Sequence, residues 1–104
     1  MVVDLFVYGT LLDDAVVEQV TGRRFVKHAA ELVGYRRYTP ANQYPYIVPA
    51  NDCTVEGALL CEVDSVALQA FDSYEDEGRL YRRVEVTVGV AGQPRRAFVY
   101  VAVR

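Results

Sequence analysis

Two short segments of this chain carry residue types that can do chemistry together. Leu5-Phe6-Val7-Tyr8-Gly9-Thr10-Leu11 reads as an apolar strand that stops at a glycine and offers bare backbone amides. Glycine permits positive φ and close approach of a ligand to the backbone. Successive N–H groups just ahead of a helix N-terminus form a small anion-binding concavity; a plain strand-to-helix connection is the alternative. The second segment is Phe71-Asp72-Ser73-Tyr74-Glu75, followed by Leu80-Tyr81-Arg82-Arg83. Leu68, Phe71 and Glu75 fall at i, i+3 and i+7, one stripe of an α-helix, so Glu75 projects beside the residues that anchor the helix. Asp72, Asp76 and Glu77 fall elsewhere and read as solvated. An acid on an apolar stripe is costly unless paired or protonated, and the last helical turn disfavours negative charge. Both effects predict a raised pKa for Glu75. The alternative is a frayed helix end where Glu75 pairs with Arg79 or Arg83. A nest of amides and one inward-facing acid suit a small zwitterionic substrate, with no metal or cofactor required.

Other chemistries lack their residues. No G-x-G-x-x-G or glycine-lysine-serine phosphate loop is present. Ser65 and Ser73 have no histidine in a triad-like arrangement, and His28 has no catalytic neighbour in its strand. Cys53 and Cys61 lack a flanking base and a zinc-ligand spacing, and read as two reduced structural thiols. The net charge of −3 gives no general reason to bind nucleic acid or anionic lipid. Arginines occur as the adjacent pairs Arg23-Arg24, Arg36-Arg37, Arg82-Arg83 and Arg95-Arg96. Strand neighbours point to opposite faces, so each pair offers at most one guanidinium to a pocket. The 104 residues make one domain, 1–104, with a single core. No apolar run is long enough to span a membrane. The start, Met1-Val2-Val3-Asp4, has no secretory pattern, and the expectation is a cytoplasmic location.

The elements that must hold these residues follow from periodicity and punctuation. Val2 to Tyr8 is a strand, and Asp13 or Asp14 caps a helix over 14–21 stopped by Gly22. Phe25 to Tyr38 is one or two strands with a bulge at Gly34. Pro40, Pro45 and Pro49 break the next stretch, leaving Tyr44 to Val48 extended, and Asn51-Asp52 marks a turn. Thr54 to Val63 is a strand interrupted by Gly57. Asp64 caps a second helix over 65–76, ended by Gly78. Leu80 to Val90 is a strand with Val84, Val86, Val88 and Val90 on one face. Tyr81 and Arg83 lie on the opposite face, outward or lining a cleft. Ala91-Gly92-Gln93-Pro94 is a turn into a final strand, Arg95 to Val103, antiparallel to its predecessor. The fold class is α+β: a small, closed or nearly closed, mostly antiparallel β-barrel of five to seven strands with two short flanking helices.

Val7-Tyr8-Gly9-Thr10-Leu11, Gly34-Tyr35-Arg36, Tyr44-Pro45, Val55-Glu56-Gly57, Phe71-Asp72-Ser73-Tyr74-Glu75, Tyr81-Arg82-Arg83 and Val99-Tyr100-Val101, in this order, resemble the gamma-glutamylcyclotransferase-like (AIG2-like) family. The resemblance implies a small barrel with a cavity at one end, no cofactor and no metal. It assigns substrate binding to Tyr8, Gly9, Thr10 and Leu11, and the general base to Glu75. Tyr81 is implied as a substrate contact and Arg83 as structural. The implied activity releases 5-oxoproline from a small γ-glutamyl substrate, an amino acid or amine conjugate, by attack of its α-amine on the γ-carbonyl. The alternative is a non-catalytic small-molecule-binding or interaction module that keeps the same cavity. Implied partners are that substrate alone, with no nucleic acid and no membrane, for a monomer or homodimer. Phe71 stands where leucine is usual, Leu12 where a basic residue is common, and Tyr46 where something smaller is typical; these bear on substrate choice more than on fold.

Overall fold

A computed structural model describes residues 2–103. Strand β1 (Val2–Val7) runs into a 3-10 turn (Thr10–Leu12) and helix α1 (Asp14–Thr21). Strands β2 (Lys27–Tyr38) and β3 (Tyr46–Asp64), helix α2 (Ser65–Glu75), and strands β4 (Tyr81–Val90) and β5 (Gln93–Ala102) follow. The strands close into a barrel in the order β1-β3-β2-β4-β5. Every pairing is antiparallel except β1 with β5, which is parallel. No helix among the described residues is long and apolar enough to cross a membrane.

The core has two layers, and strand alternation decides which residue enters which. Phe6, Tyr8, Leu32, Ile47, Leu59, Val88 and Val99 fill the barrel. Leu5, Val7, Leu60, Val63 and Tyr100 face the other way, onto Leu11, Val17, Ala67 and Phe71 of the turn and helices. Strands β1, β3 and β5 are therefore buried on both faces where the helices cover them, and their sequences run apolar without alternation there. Strand β4 alternates, with Val84, Val86, Val88 and Val90 turned to the barrel interior as expected.

Local signals explain most boundaries. The Asp13 carboxylate accepts the Ala15 amide at the start of α1, and Gly22, at φ +79°, closes its end. Asp64 caps α2 through the Ala67 amide at 2.8 Å. The β4–β5 hairpin turns on Ala91 and Gly92 alone, both at positive φ, the geometry of a type I′ turn. Gln93 and Pro94 thus belong to β5 rather than to the turn.

Several expectations need correction. Pro49 and Asn51-Asp52 do not divide the chain: β3 runs unbroken from Tyr46 to Asp64. Pairing with β2 slips between Val33↔Thr54 and Tyr35↔Pro49, so 50–53 forms a bulge opposite Gly34, and Asp52 takes φ +63° within it. Pro49 pairs with Tyr35 directly beside this bulge, a position where a strand tolerates proline. Gly57 does not interrupt β3 either; it pairs with Ala30. A Cβ there would collide with the Val7 carbonyl oxygen and the Phe6 ring, so glycine lets β3 lie close under the end of β1. Helix α2 ends at Asp76 in the left-handed conformation, not at Gly78. The Asp76 amide bonds back to Ser73 and that of Glu77 to Asp72, a Schellman closure directly after Glu75.

The ring is laced unevenly. β3 pairs along most of β1 and β2, and β4 pairs with β5 from Tyr81↔Ala102 to Val90↔Gln93. Among the described residues the joins between these two units hold one register pair each, Leu5↔Phe98 and Glu31↔Gly89.

Candidate active site

One cavity of about 110 Å³ opens at the end of the barrel where β1 gives way to the 3-10 turn. The turn and the end of β1 supply Tyr8, Gly9, Thr10 and Leu11; α2 supplies Tyr74 and Glu75; the entry to β4 supplies Leu80 and Tyr81; Tyr44 and Pro45 close another side. All six residues singled out in the sequence, Tyr8 to Leu11, Glu75 and Tyr81, therefore meet at one cavity.

The turn presents donors. The Leu12 amide bonds to the Gly9 carbonyl and the Asp13 amide to that of Thr10. The amides of Gly9, Thr10 and Leu11 have no protein acceptor among the described residues, as expected for the first N–H groups of a helical turn. Gly9 itself sits at φ −132°, so positive φ is not why glycine stands here. A Cβ on Gly9 would meet Pro45 Cγ at 3.4 Å, an ordinary van der Waals contact, so the Pro45 segment packs directly over the turn. The Arg37 guanidinium donates to the Tyr8 carbonyl at 2.6 Å and ties the turn's foot to β2. Thr10 Oγ1 and Tyr74 Oη share a hydrogen bond of 2.8 Å, which latches the turn to α2 beside Glu75.

The same cavity presents acceptors. Tyr8 donates its hydroxyl to the Tyr100 carbonyl at 2.5 Å, and Tyr81 donates to the Pro45 carbonyl at 2.8 Å. Each phenol has a single proton, so toward the cavity both oxygens offer lone pairs. Burial, with the charge of Glu75 adding to it, pushes the Tyr81 hydroxyl up to about 12. Tyr8 is raised further, again chiefly by burial. Both phenols therefore stay protonated at neutral pH.

Glu75 is the third acceptor. Neither expected cation reaches it: Arg79 pairs with Asp76 at 2.7 Å, and Arg83 pairs with Asp72. No hydrogen bond or ion pair satisfies its carboxylate among the described residues, and burial raises it from an ordinary glutamate value to about 7. The ion pair with Arg79 or Arg83 allowed by the sequence is thus overturned, because those guanidinium groups have other partners.

Asp72 is the second correction, since it is not solvated. Its carboxylate takes the Arg83 guanidinium on one oxygen and the Tyr100 hydroxyl, at 2.7 Å, on the other. Arg83 also lies over the Phe98 ring, 5.4 Å from its centroid. This network docks α2 on β4 and β5, and Tyr100 continues it through its carbonyl to Tyr8 in the cavity. Sequence reasoning did not find it because its partners converge from three elements; the alternation of β5, which turns Tyr100 outward beside Phe98, was the available signal. Nor did it assign a role to Tyr44, Pro45, Tyr74 or Leu80. The other arginines behave as paired neighbours should: Arg23, Arg95 and Arg96 bridge Asp64, Asp4 and Glu85. Cys53 and Cys61 are both free thiols.

The architecture is thus a five-stranded closed barrel with two helices packed on it and an acid-and-amide cavity at its end. A solved structure described as gamma-glutamyl cyclotransferase superposes with a TM-score of 0.83 over 99% of this chain and 68% of that one, at 16% identity, a likeness of fold. The solution structure of an Arabidopsis thaliana protein gives a TM-score of 0.88 at 28% identity, covering 98% of this chain and 69% of that one. Residues 5–104 match the family model described as "Gamma-glutamyl cyclotransferase, AIG2-like", and the chain belongs to that family. It is 36% identical to Protein AIG2 C and 35% identical to AIG2-like protein A, both of Arabidopsis thaliana, over 82% and 84% of its length. The chain spans about half the length of these curated relatives, 51% of each.

Proposed function

We propose that this chain cyclises the γ-glutamyl unit of a small conjugate, releasing 5-oxoproline and an amine, with Glu75 as general base. The observation that carries this reading is a carboxylate without a protein partner that shares one cavity with three unpartnered backbone amides. The substrate's α-ammonium and α-carboxylate are complementary to the two kinds of group in the cavity: the acceptors Glu75, Tyr8 and Tyr81, and the Gly9–Leu11 amides.

The α-amine is a nucleophile only after losing a proton. A free α-ammonium titrates near 7.7–8.0 and an ordinary glutamate near 4.3, so transfer to an exposed acid is uphill by about 3.5 pH units. With Glu75 at about 7 the gap narrows to about one, and at about 1.4 kcal/mol per unit burial removes roughly 3 kcal/mol of that cost. The freed amine attacks the γ-carbonyl carbon, forming the ring C–N bond and a tetrahedral oxyanion, which the turn's amides stabilise. Collapse breaks the bond to the departing nitrogen as protonated Glu75 returns its proton there, and Glu75, again a carboxylate, takes the second proton from the ring nitrogen and passes it to the departing amine or to solvent. Holding the glutamyl chain folded supplies proximity.

The test is release of 5-oxoproline from γ-glutamyl amides by the wild-type chain and by Glu75→Gln. The reading requires turnover in the first and its loss in the second, with the folded state intact and ligand binding retained. Binding without product in both proteins supports a non-catalytic module instead.

A further inference from the structure

The adjacent pair Arg36-Arg37 can send at most one guanidinium toward the barrel, and a bulge decides which. Before the bulge the even-numbered residues of β2 face inward: Ala30 and Leu32 belong to the barrel core, while Val33 is exposed. Unbroken alternation would bring Arg36 inward and turn Arg37 to solvent. Gly34, at φ +90°, breaks it, and the register with β3 slips between Val33 and Tyr35. Beyond the slip the odd-numbered residues face inward. Tyr35 packs against the barrel core, and Arg37 pairs with Ile47, which is fully buried in that core. Arg37 thereby reaches the Tyr8 carbonyl at 2.6 Å, and Arg36 is left over the Tyr38 ring, 5.2 Å from its centroid.

That carbonyl is not an arbitrary acceptor. Pairing of β1 with β3 stops at Val7↔Ala58, so Tyr8 lies just past the end of the ladder. Its C=O belongs to the same peptide unit as the Gly9 N–H, one of the three amides without a protein acceptor among the described residues. No peptide bond among the described residues is cis, so oxygen and hydrogen of this unit point in opposite directions. Holding the oxygen aims the hydrogen. A cationic donor also binds a carbonyl more strongly than a neutral one and polarises the peptide, which strengthens its N–H as a donor. The charge is felt at this end of the barrel: burial raises the Tyr8 phenol, and Arg37 opposes that rise. Arg37 is itself exposed and belongs to neither core cluster, so packing does not account for its placement.

We propose that Arg37 is a positioning residue for the cyclisation: through the Tyr8 carbonyl it aims and polarises the Gly9 N–H toward the oxyanion formed at the γ-carbonyl. Arg37 touches no substrate. The inference rests on the cyclotransferase reading, and it assigns the Gly9 amide to the transition state rather than to ground-state binding.

Arg37→Met and Arg36→Met test it. The kinetic readout is 5-oxoproline release from a γ-glutamyl amide, and the spectroscopic one is the backbone amide nitrogen resonance of Gly9. Removing an oxyanion donor outright costs on the order of 10² to 10³ in kcat. Loss of its aim in Arg37→Met is expected to lower kcat by about tenfold or more, with KM within about twofold of wild type. The Gly9 nitrogen is expected to move upfield in the same variant, because its peptide is no longer polarised. Arg36→Met is expected to leave both rate and resonance at wild-type values. A variant that merely loses folded protein lowers the rate without moving the resonance of the protein that stays folded. Four results each overturn the role while leaving the cyclotransferase reading standing: kcat of Arg37→Met within about threefold of wild type, a loss carried by KM alone, a loss without a Gly9 shift, or equal losses in the two variants. No 5-oxoproline from the wild-type chain overturns that reading and this inference with it.

Discussion

Asp72 and Glu75 are carboxylates less than one turn apart on the same helix, and the fold treats them in opposite ways. Asp72 receives a guanidinium and a phenol, and through them fastens α2 to β4 and β5. Glu75 receives nothing from the described residues and is half-buried against the cavity. The difference lies in where the cations fall: Arg83 and Arg79 both lie close in sequence, yet the first reaches Asp72 and the second Asp76. A helix is thus held by one acid so that another can be presented unpaired. On the proposed reading, stability resides in the first carboxylate and reactivity in the second.

The strongest way to break this contrast is kinetic. Glu75→Gln is expected to lower 5-oxoproline release by on the order of 10² to 10⁴, the usual range for a positioned general base. Asp72→Asn, which perturbs a docking contact, should cost less than about tenfold. Comparable losses in the two variants would dissolve the distinction. The next test is the pH dependence of kcat/KM in the wild type, whose acid limb should lie at about 7, the value to which burial brings Glu75. A limb near 4.5 would make Glu75 an ordinary surface acid.

Stability should separate the two acids by sign. The folded-state pKa of Glu75 lies above its unfolded value, so the folded chain binds that proton more tightly. Stability is therefore lost as pH rises from about 4.5 through about 7, and the loss is complete above that. Glu75→Gln should accordingly gain up to about 3 kcal/mol at pH 8 and nothing at pH 4, read by urea denaturation at both. The smallest effect is expected from Asp72→Asn, which weakens a half-buried ion pair and should lose about 1–2 kcal/mol at pH 7. A gain there, or a loss for Glu75→Gln at pH 8, would reverse the contrast.

Legibility in the sequence followed the range of the interactions involved. Asp13, Gly22 and Asp64 act within their own turns, and the Ala91-Gly92 hairpin within its own loop; all these signals are local. The spacing of Leu68, Phe71 and Glu75 similarly reports a helix face, and Phe71 is fully buried. Asp72 was illegible because its partners lie 11 and 28 residues away. The bulge at 50–53 was misread as a turn for the same reason: Pro49, Asn51 and Asp52 carry strong local breaking signals, but pairing to β2 resumes on both sides and overrides them. Tyr8 and Tyr81 are pocket residues only through the family resemblance, since the strand pattern leaves Tyr81 outward or lining a cleft, and the donation of their hydroxyls to Tyr100 and Pro45 depends on segments distant in sequence.

The unequal lacing of the ring has a consequence for how the molecule could be taken apart. Residues 2–64 build the β1–β3–β2 unit and residues 81–102 build the hairpin, so the backbone passes between them once, through α2. A chain cut after α2 gives two fragments, each with its strands already paired, which would rejoin along two thin seams and through the barrel core they share. Tyr8 and Tyr81 bridge those halves, and the cavity floor is assembled from both. Occupancy of the site would therefore act as a rivet between the fragments, turning a split version of this barrel into a reporter whose reassembly depends on its own ligand.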